Sequence, residues 1–261
     1  MLTSFGGVPG TAPTAAPSGK ANAVLHWIFP AVALLASAAF AVAVLLQYRR
    51  RRKPYQLAWG AALTMFALAS LALAVGSADG WTPFGFKVYY LFGAILNVPW
   101  LGLGTVLLLA PRRRALVYLG LLVAFSVLAL VLVGLARVSH ADLAGKVVPE
   151  GKAFLPLPVR ALAVVGNSVG TLIVVAGAVS SGLALRHRRH LRPRFEGNLL
   201  IALGVLLAAS GGVFAFLGRS NALGLALALG ATVMFLGFRR ASMPLPPPQG
   251  QEAPRPRAAP A

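Results

Sequence analysis

The sequence predicts an all-α protein: a polytopic membrane bundle of seven transmembrane helices. Three observations carry that prediction. Hydrophobic residues make up 58% of the 261 and charged residues only 11%, against about 25% charged in a soluble globular chain. Apolar runs of roughly 17 to 25 residues recur, and about 20 apolar residues suffice to cross the hydrocarbon core as a helix. Each run is bounded by an Arg/Lys cluster, a proline or a glycine, so the runs are separate segments.

The runs fall at about 24–47, 56–76, 88–110, 115–136, 159–184, 197–217 and 222–238. The first ends at "RRRRK", Arg49 to Lys53. The second is bounded by Pro54 and Gly76, and the third stops at Pro111, which cannot continue a helix interior. The fourth follows Arg112 to Arg114. The fifth begins after "LPLPVR" and ends before "RHRRHLRPR", which leads into the sixth. The seventh closes at Arg239 and Arg240. The chain thus divides into a flexible Pro/Ala/Gly-rich tail over 1–22, a seven-helix domain over 23–240, and a proline-rich tail over 241–261 that reads as extended and disordered.

The loops give a direction. The basic clusters after the first, third, fifth and seventh runs share one side, and the positive-inside rule makes that side cytoplasmic. The N-terminus is then outside and the C-terminus inside. Asp79, Asp142 and Glu150 all fall in loops on the other side. Trp27, Trp81 and Tyr89 suit the outer interface, Tyr48 and Tyr55 the inner one. The expected location is the cell membrane, as a multi-pass protein of a bacterial inner membrane. The net charge of +19 belongs to this topology and to attraction of anionic lipids by the cytoplasmic basic loops. With little aromatic interleaving, it does not point to nucleic acid.

A repeat runs at long spacing. "TVLLLAPRR" (105–113) closes the third run and "TVMFLGFRR" (232–240) the seventh, and "YQLAWGAAL" (55–63) more weakly matches "FEGNLLIAL" (195–203). This pairs the second run with the sixth and the third with the seventh. The resulting plan is three-plus-one-plus-three with parallel halves, Thr105 lying over Thr232. In architecture the chain resembles a bacterial family of seven-helix integral membrane proteins. It also resembles the broad superfamily of small sugar transporters, opsins and seven-helix receptors. The specific marks of those proteins are missing: "ALGLALALGATVMFLGF" (222–238) holds no retinal-type lysine, and no Pro-Gln pair marks a cytoplasmic half-span. The resemblance implies the bundle and not an activity.

Polar residues inside the runs are the candidate site. In "YYLFGAILNVPWLGLG" (89–104), Tyr90, Gly93, Asn97 and Gly104 fall close to one helical face. Pro99 lacks an N–H and crowds the carbonyl of Ile95, so a kink and a freed backbone acceptor are expected. Asn97, a neighbouring helix or water would satisfy it. In the fifth run Asn167, Gly170, Thr171 and Ser181 share a face, and the sixth carries Ser210 within "ASGG". Tyr90, Asn97, Asn167, Thr171 and Ser210 are therefore the candidate ligand-binding residues for a small neutral solute or lipid. The same residue types also serve as glue between membrane helices.

Chemistry is sparse. No cysteine is present, and no cofactor or metal is implied. His187 and His190 sit among arginines that would repel a cation. His140 and Asp142 in "SHAD", with Glu150, are the one acid–base cluster, and they lie in a loop without a motif frame. The chain is therefore read as a non-enzyme that binds, senses or passively transports within its bundle. The alternatives are a membrane subunit or scaffold for a protein partner and, last, an outer-surface enzyme.

Overall fold

A computed structural model of the protein describes residues 18–146, 148–185, 192–217 and 219–243. Among them every regular element is helical, and seven helices are long and apolar enough to cross a membrane. The spans are Ser18–Arg51, Pro54–Asp79, Pro83–Leu109, Arg112–Leu135, Leu157–Leu185, Arg192–Phe216 and Ser220–Ala241. Two short helices, His140–Leu143 and Gly151–Phe154, lie between the fourth and fifth spans. Residues 1–17 and 244–261 of the expected tails, and His187 and His190, lie outside the described residues.

The helices start earlier than their apolar runs because the backbone ladder continues into the polar interface, where hydropathy no longer marks it. Local chemistry sets those starts. Pro54 and Pro83 occupy first-turn positions, where a missing N–H costs nothing. The Thr82 hydroxyl caps the third span by accepting from the Gly85 N–H at 3.0 Å. Lys87 extends its ammonium 2.8 Å to the Gly134 carbonyl in the last turn of the fourth span, where a cation meets the negative end of the helix dipole.

Six spans form a ring. The first packs on the second, the second on the third, the third on the fifth, the fifth on the sixth, the sixth on the seventh, and the seventh back on the first. The fourth lies outside, against the third and fifth. All six ring spans reach one central cluster: Phe40 and Val44, Leu63 and Phe66, Val174, Val205 and Met234, with Leu101 of the third span against them. One end of the bundle carries Arg49–Lys53, Arg112–Arg114 and Arg239–Arg240; Asp79, Asp142 and Glu150 mark the other.

At the acid-bearing end the loops fold inward. Trp81, expected at the lipid interface, is buried instead at 5% exposure. Its indole lies edge-on to Phe86 and Tyr89 and directly over Gly76, where a Cβ would come within 2.5 Å of the ring. Phe154 meets Phe86 edge-on, and Leu143, Leu155 and Val159 complete the cluster. A fully apolar dock was available to this tryptophan, and burying its large area there outweighs the interfacial preference.

Candidate site at the interrupted third span

The third span changes register halfway. Tyr89–Leu96 is π-helical, and Asn97 resumes the α-helix. The Asn97 N–H reaches back five residues to the Phe92 carbonyl. Pro99, just past this change of register, has no N–H to give to the carbonyls four and five residues back, those of Ile95 and Ala94. A carbonyl so freed in an apolar medium must find a donor.

The donor comes from another span. Asn167 of the fifth span donates its Nδ2 to the Ala94 carbonyl at 2.6 Å. Nearby carbonyls are held in the same way. Tyr118 of the fourth span donates its hydroxyl to the Pro99 carbonyl at 3.1 Å. Trp59 of the second span donates its indole N–H to the Leu101 carbonyl at 3.1 Å. Trp100 donates to the Ser126 hydroxyl at 3.1 Å, which in turn donates to the Leu122 carbonyl. Three neighbouring helices thus clamp one interrupted stretch. Small residues allow the approach: a Cβ on Gly170 would lie 2.7 Å from the Val98 carbonyl, and one on Gly166 would lie 2.9 Å from that of Ile95.

Each expected site residue can now be placed. Asn97 does not serve the freed carbonyl. Its Oδ1 is buried and accepts no hydrogen bond among the described residues. Leu101, one turn on, packs into the central cluster, so helical spacing turns Asn97 toward the same interior. Asn167 comes to the third span within a turn of Asn97, and its amide donates there. Thr171, one turn further along the fifth span, is half-buried. Tyr90 belongs to the aromatic cluster: its ring lies against Gly151 and 6.0 Å from that of Phe86. Ser210 donates to its own Leu207 carbonyl at 2.7 Å. No hydrogen bond joins Asn97, Asn167, Thr171 and Ser210 to one another among the described residues.

Other candidates have local duties. The Asp142 carboxylate accepts from the Ser139 N–H at 3.1 Å and from its hydroxyl at 2.9 Å, and the Asp142 N–H donates back to that hydroxyl at 3.3 Å, completing a capping box. Those bonds, the backbone one first, hold its carboxyl below the ordinary carboxylate range, which makes it a weaker base than the "SHAD" spacing alone suggests. Glu150 pairs with Lys152 at 2.9 Å. No group of three His, Cys, Asp or Glu stands ready for a metal among the described residues.

The clamping residues Trp59, Tyr118 and Trp100 escaped the sequence reading. Their signal was present: an aromatic N–H or O–H inside an apolar run needs an acceptor, here the Leu101 and Pro99 carbonyls and the Ser126 hydroxyl. Gln56 was missed as well. It is 1% exposed at the Arg-bearing end of the second span, and both its amide atoms lack partners among the described residues.

The architecture and its contents define the class: an integral membrane protein with seven spans, of which six close a ring and the seventh, fourth in chain order, braces it from outside. Compared with protein-family models, curated proteins and solved structures, the chain matches none.

Proposed function

We propose that the bundle binds a small neutral polar solute, or the polar part of a lipid, beside Asn97, and that it senses or passively passes that ligand without chemistry. The observation that carries the reading is the Asn97 Oδ1, a buried acceptor with no donor among the described residues, at the foot of a π-helical stretch. A buried amide oxygen left unpaired costs about 1–3 kcal/mol. π-Helical stretches inside α-helices frequently mark functional positions. A neutral donor such as a hydroxyl or amide N–H would complete the site, and no span carries a carboxylate near its centre of the kind used for proton-coupled pumping.

The ring supports the three-plus-one-plus-three plan. Exchanging the first three spans with the last three maps the contact of the seventh with the first onto that of the third with the fifth, leaving the fourth as linker. The basic clusters support an N-out, C-in orientation in a bacterial inner membrane. A second reading, as a membrane subunit, draws support from Asn167 and Ser210, whose donors are already spent inside the protein.

The test is thermal unfolding of purified protein against a panel of polyols, sugars and simple amides, comparing wild type with Asn97→Leu. A ligand at Asn97 raises the wild-type midpoint and leaves that of Asn97→Leu unmoved. If no compound moves the wild type and Asn97→Leu is simply more stable, the binding reading fails and the subunit reading stands.

A further inference from the structure

The first and seventh spans end side by side at the Arg-bearing end, and a cleft of about 330 Å³ opens between them. Ala43, Leu46, Gln47 and Arg50 line it from one face of the first span, spaced i, i+3, i+4 and i+7. Arg51 follows in the same last turn. From the seventh span come Phe238 and the cap residue Ser242. Phe238 is a fixed wall, its ring 5.0 Å from that of Phe40 in the central cluster.

The lining changes character with depth. At about 1.5 Å of rise per residue, Ala43 lies roughly 11 Å deeper than Arg50. The deep part is apolar and the mouth carries two guanidinium groups, an amide and a hydroxyl. Arginine in a last helical turn is favoured by the dipole and by topology, but neither effect calls for Gln47 beside it or for an apolar slot below. Arg50 and Arg51 form no ion pair among the described residues, whereas Arg240 of the seventh span is already held by Glu196, at 3.0 and 2.8 Å.

We propose that this cleft is a binding site for an anionic phospholipid. The phosphate sits between Arg50 and Arg51 with Gln47 and Ser242 donating to it, and an acyl chain runs down over Leu46, Ala43 and Phe238. A guanidinium pair matches phosphate oxygens better than point charges would. The apolar wall selects a phosphate that carries a chain over free phosphate. The inference depends on membrane embedding and is independent of the Asn97 reading.

Native mass spectrometry of the protein in mixed micelles of equimolar phosphatidylglycerol and phosphatidylcholine tests it, by counting each lipid retained. Each basic residue near an anionic headgroup contributes about fivefold in binding. The variant Arg50→Gln/Arg51→Gln should lose phosphatidylglycerol by about 30-fold and keep phosphatidylcholine. The variant Arg49→Gln/Arg52→Gln removes equal charge outside the cleft and should lose less than about threefold. Gln47→Leu keeps every charge and the topology, so it reads the site even if the double variant does not fold; a fall of about threefold is expected. Equal losses from the two arginine pairs, or no loss from Gln47→Leu, overturn the site in favour of diffuse attraction. Inorganic phosphate should not displace the lipid, and Leu46→Asn should weaken it. Displacement by phosphate, or indifference to Leu46→Asn, overturns the lipid in favour of a plain anion.

Discussion

The hairpin of the second and third spans and that of the sixth and seventh occupy matching places in the ring, and they are joined by different means. The later pair touches backbone to backbone. A Cβ on Gly204 would lie 2.7 Å from the Gly230 carbonyl, and one on Gly230 would lie 2.8 Å from that of Gly204. Seven residues away, Gly197 and Gly237 repeat the reciprocal contact at 2.6 and 2.7 Å. The earlier pair places Gly104 under the Trp59 indole and adds the bond from that indole to Leu101. At the Arg-bearing end, Glu196 of the sixth span grips Arg240, whereas Gln56, its counterpart in the aligned segments, is buried without a partner among the described residues. The difference follows from the state of the helix ladder. Where both helices satisfy their own carbonyls, small residues and dispersion are enough. Where proline interrupts one of them, neighbours bring side-chain donors as well, Asn167 to the Ala94 carbonyl and Trp59 to that of Leu101 two residues past the proline.

The comparison breaks most visibly at the glycine seam. Gly204→Val drives two methyls into a backbone that cannot rotate aside. Even Gly204→Ala should cost about 1–3 kcal/mol, the valine more. Thermal unfolding in detergent measures both. Gly104→Ala should lose less than Gly204→Ala, because an indole can shift where a carbonyl cannot. Equal losses would mean that the two hairpins are joined alike.

Removing donors comes next. Asn167→Ala leaves the Ala94 carbonyl bare and should cost about 1–2 kcal/mol. Trp59→Phe keeps most of the ring and should cost about 0.6 kcal/mol. Both values come from the same unfolding assay. An additive double variant would show that the clamps act separately, and coupling would show that they hold one bistable stretch. Smallest is Glu196→Gln. The pair is partly exposed, at 43% for Arg240 and 33% for Glu196, so its loss should stay below about 1 kcal/mol and shrink as salt is added.

Much of this was legible in the chain. The seven spans were, because desolvating a helix demands a long apolar run and nothing else in a protein of this composition makes one. An interruption near Pro99 was legible too, as a kink freeing the Ile95 carbonyl, but not the π-helical register over Tyr89–Leu96 or the bond taken at Ala94. The sequence could not say that Asn167 rather than Asn97 answers the discontinuity, because Asn167 and the Ala94 carbonyl meet across 73 positions of chain and the choice depends on which faces the ring brings together. Nor could it bury Trp81: its interfacial preference is a statistical average, overridden here by Gly76 leaving room for the ring. The glycine seam was half visible. Gly197, Gly204 and Gly211 recur every seven residues, but the partners at Gly230 and Gly237 stand in another span, at spacings that only antiparallel packing relates.

The ring closes through its first and last members, and this orders events in time. Ribosomal synthesis releases the first span long before the seventh exists. Until then Phe40, Ala41 and Val44 lack the seventh-span side chains, Ala231 and Met234 among them, that complete their cluster. The sixth and seventh join through a short connection and can pair as soon as both are threaded. The last closure, of seventh on first, then completes a core to which the other ring spans already contribute. Shortening the chain before the seventh span would therefore leave an open ring, its unfilled seam exposed to proteolysis and to whatever quality control patrols the bilayer.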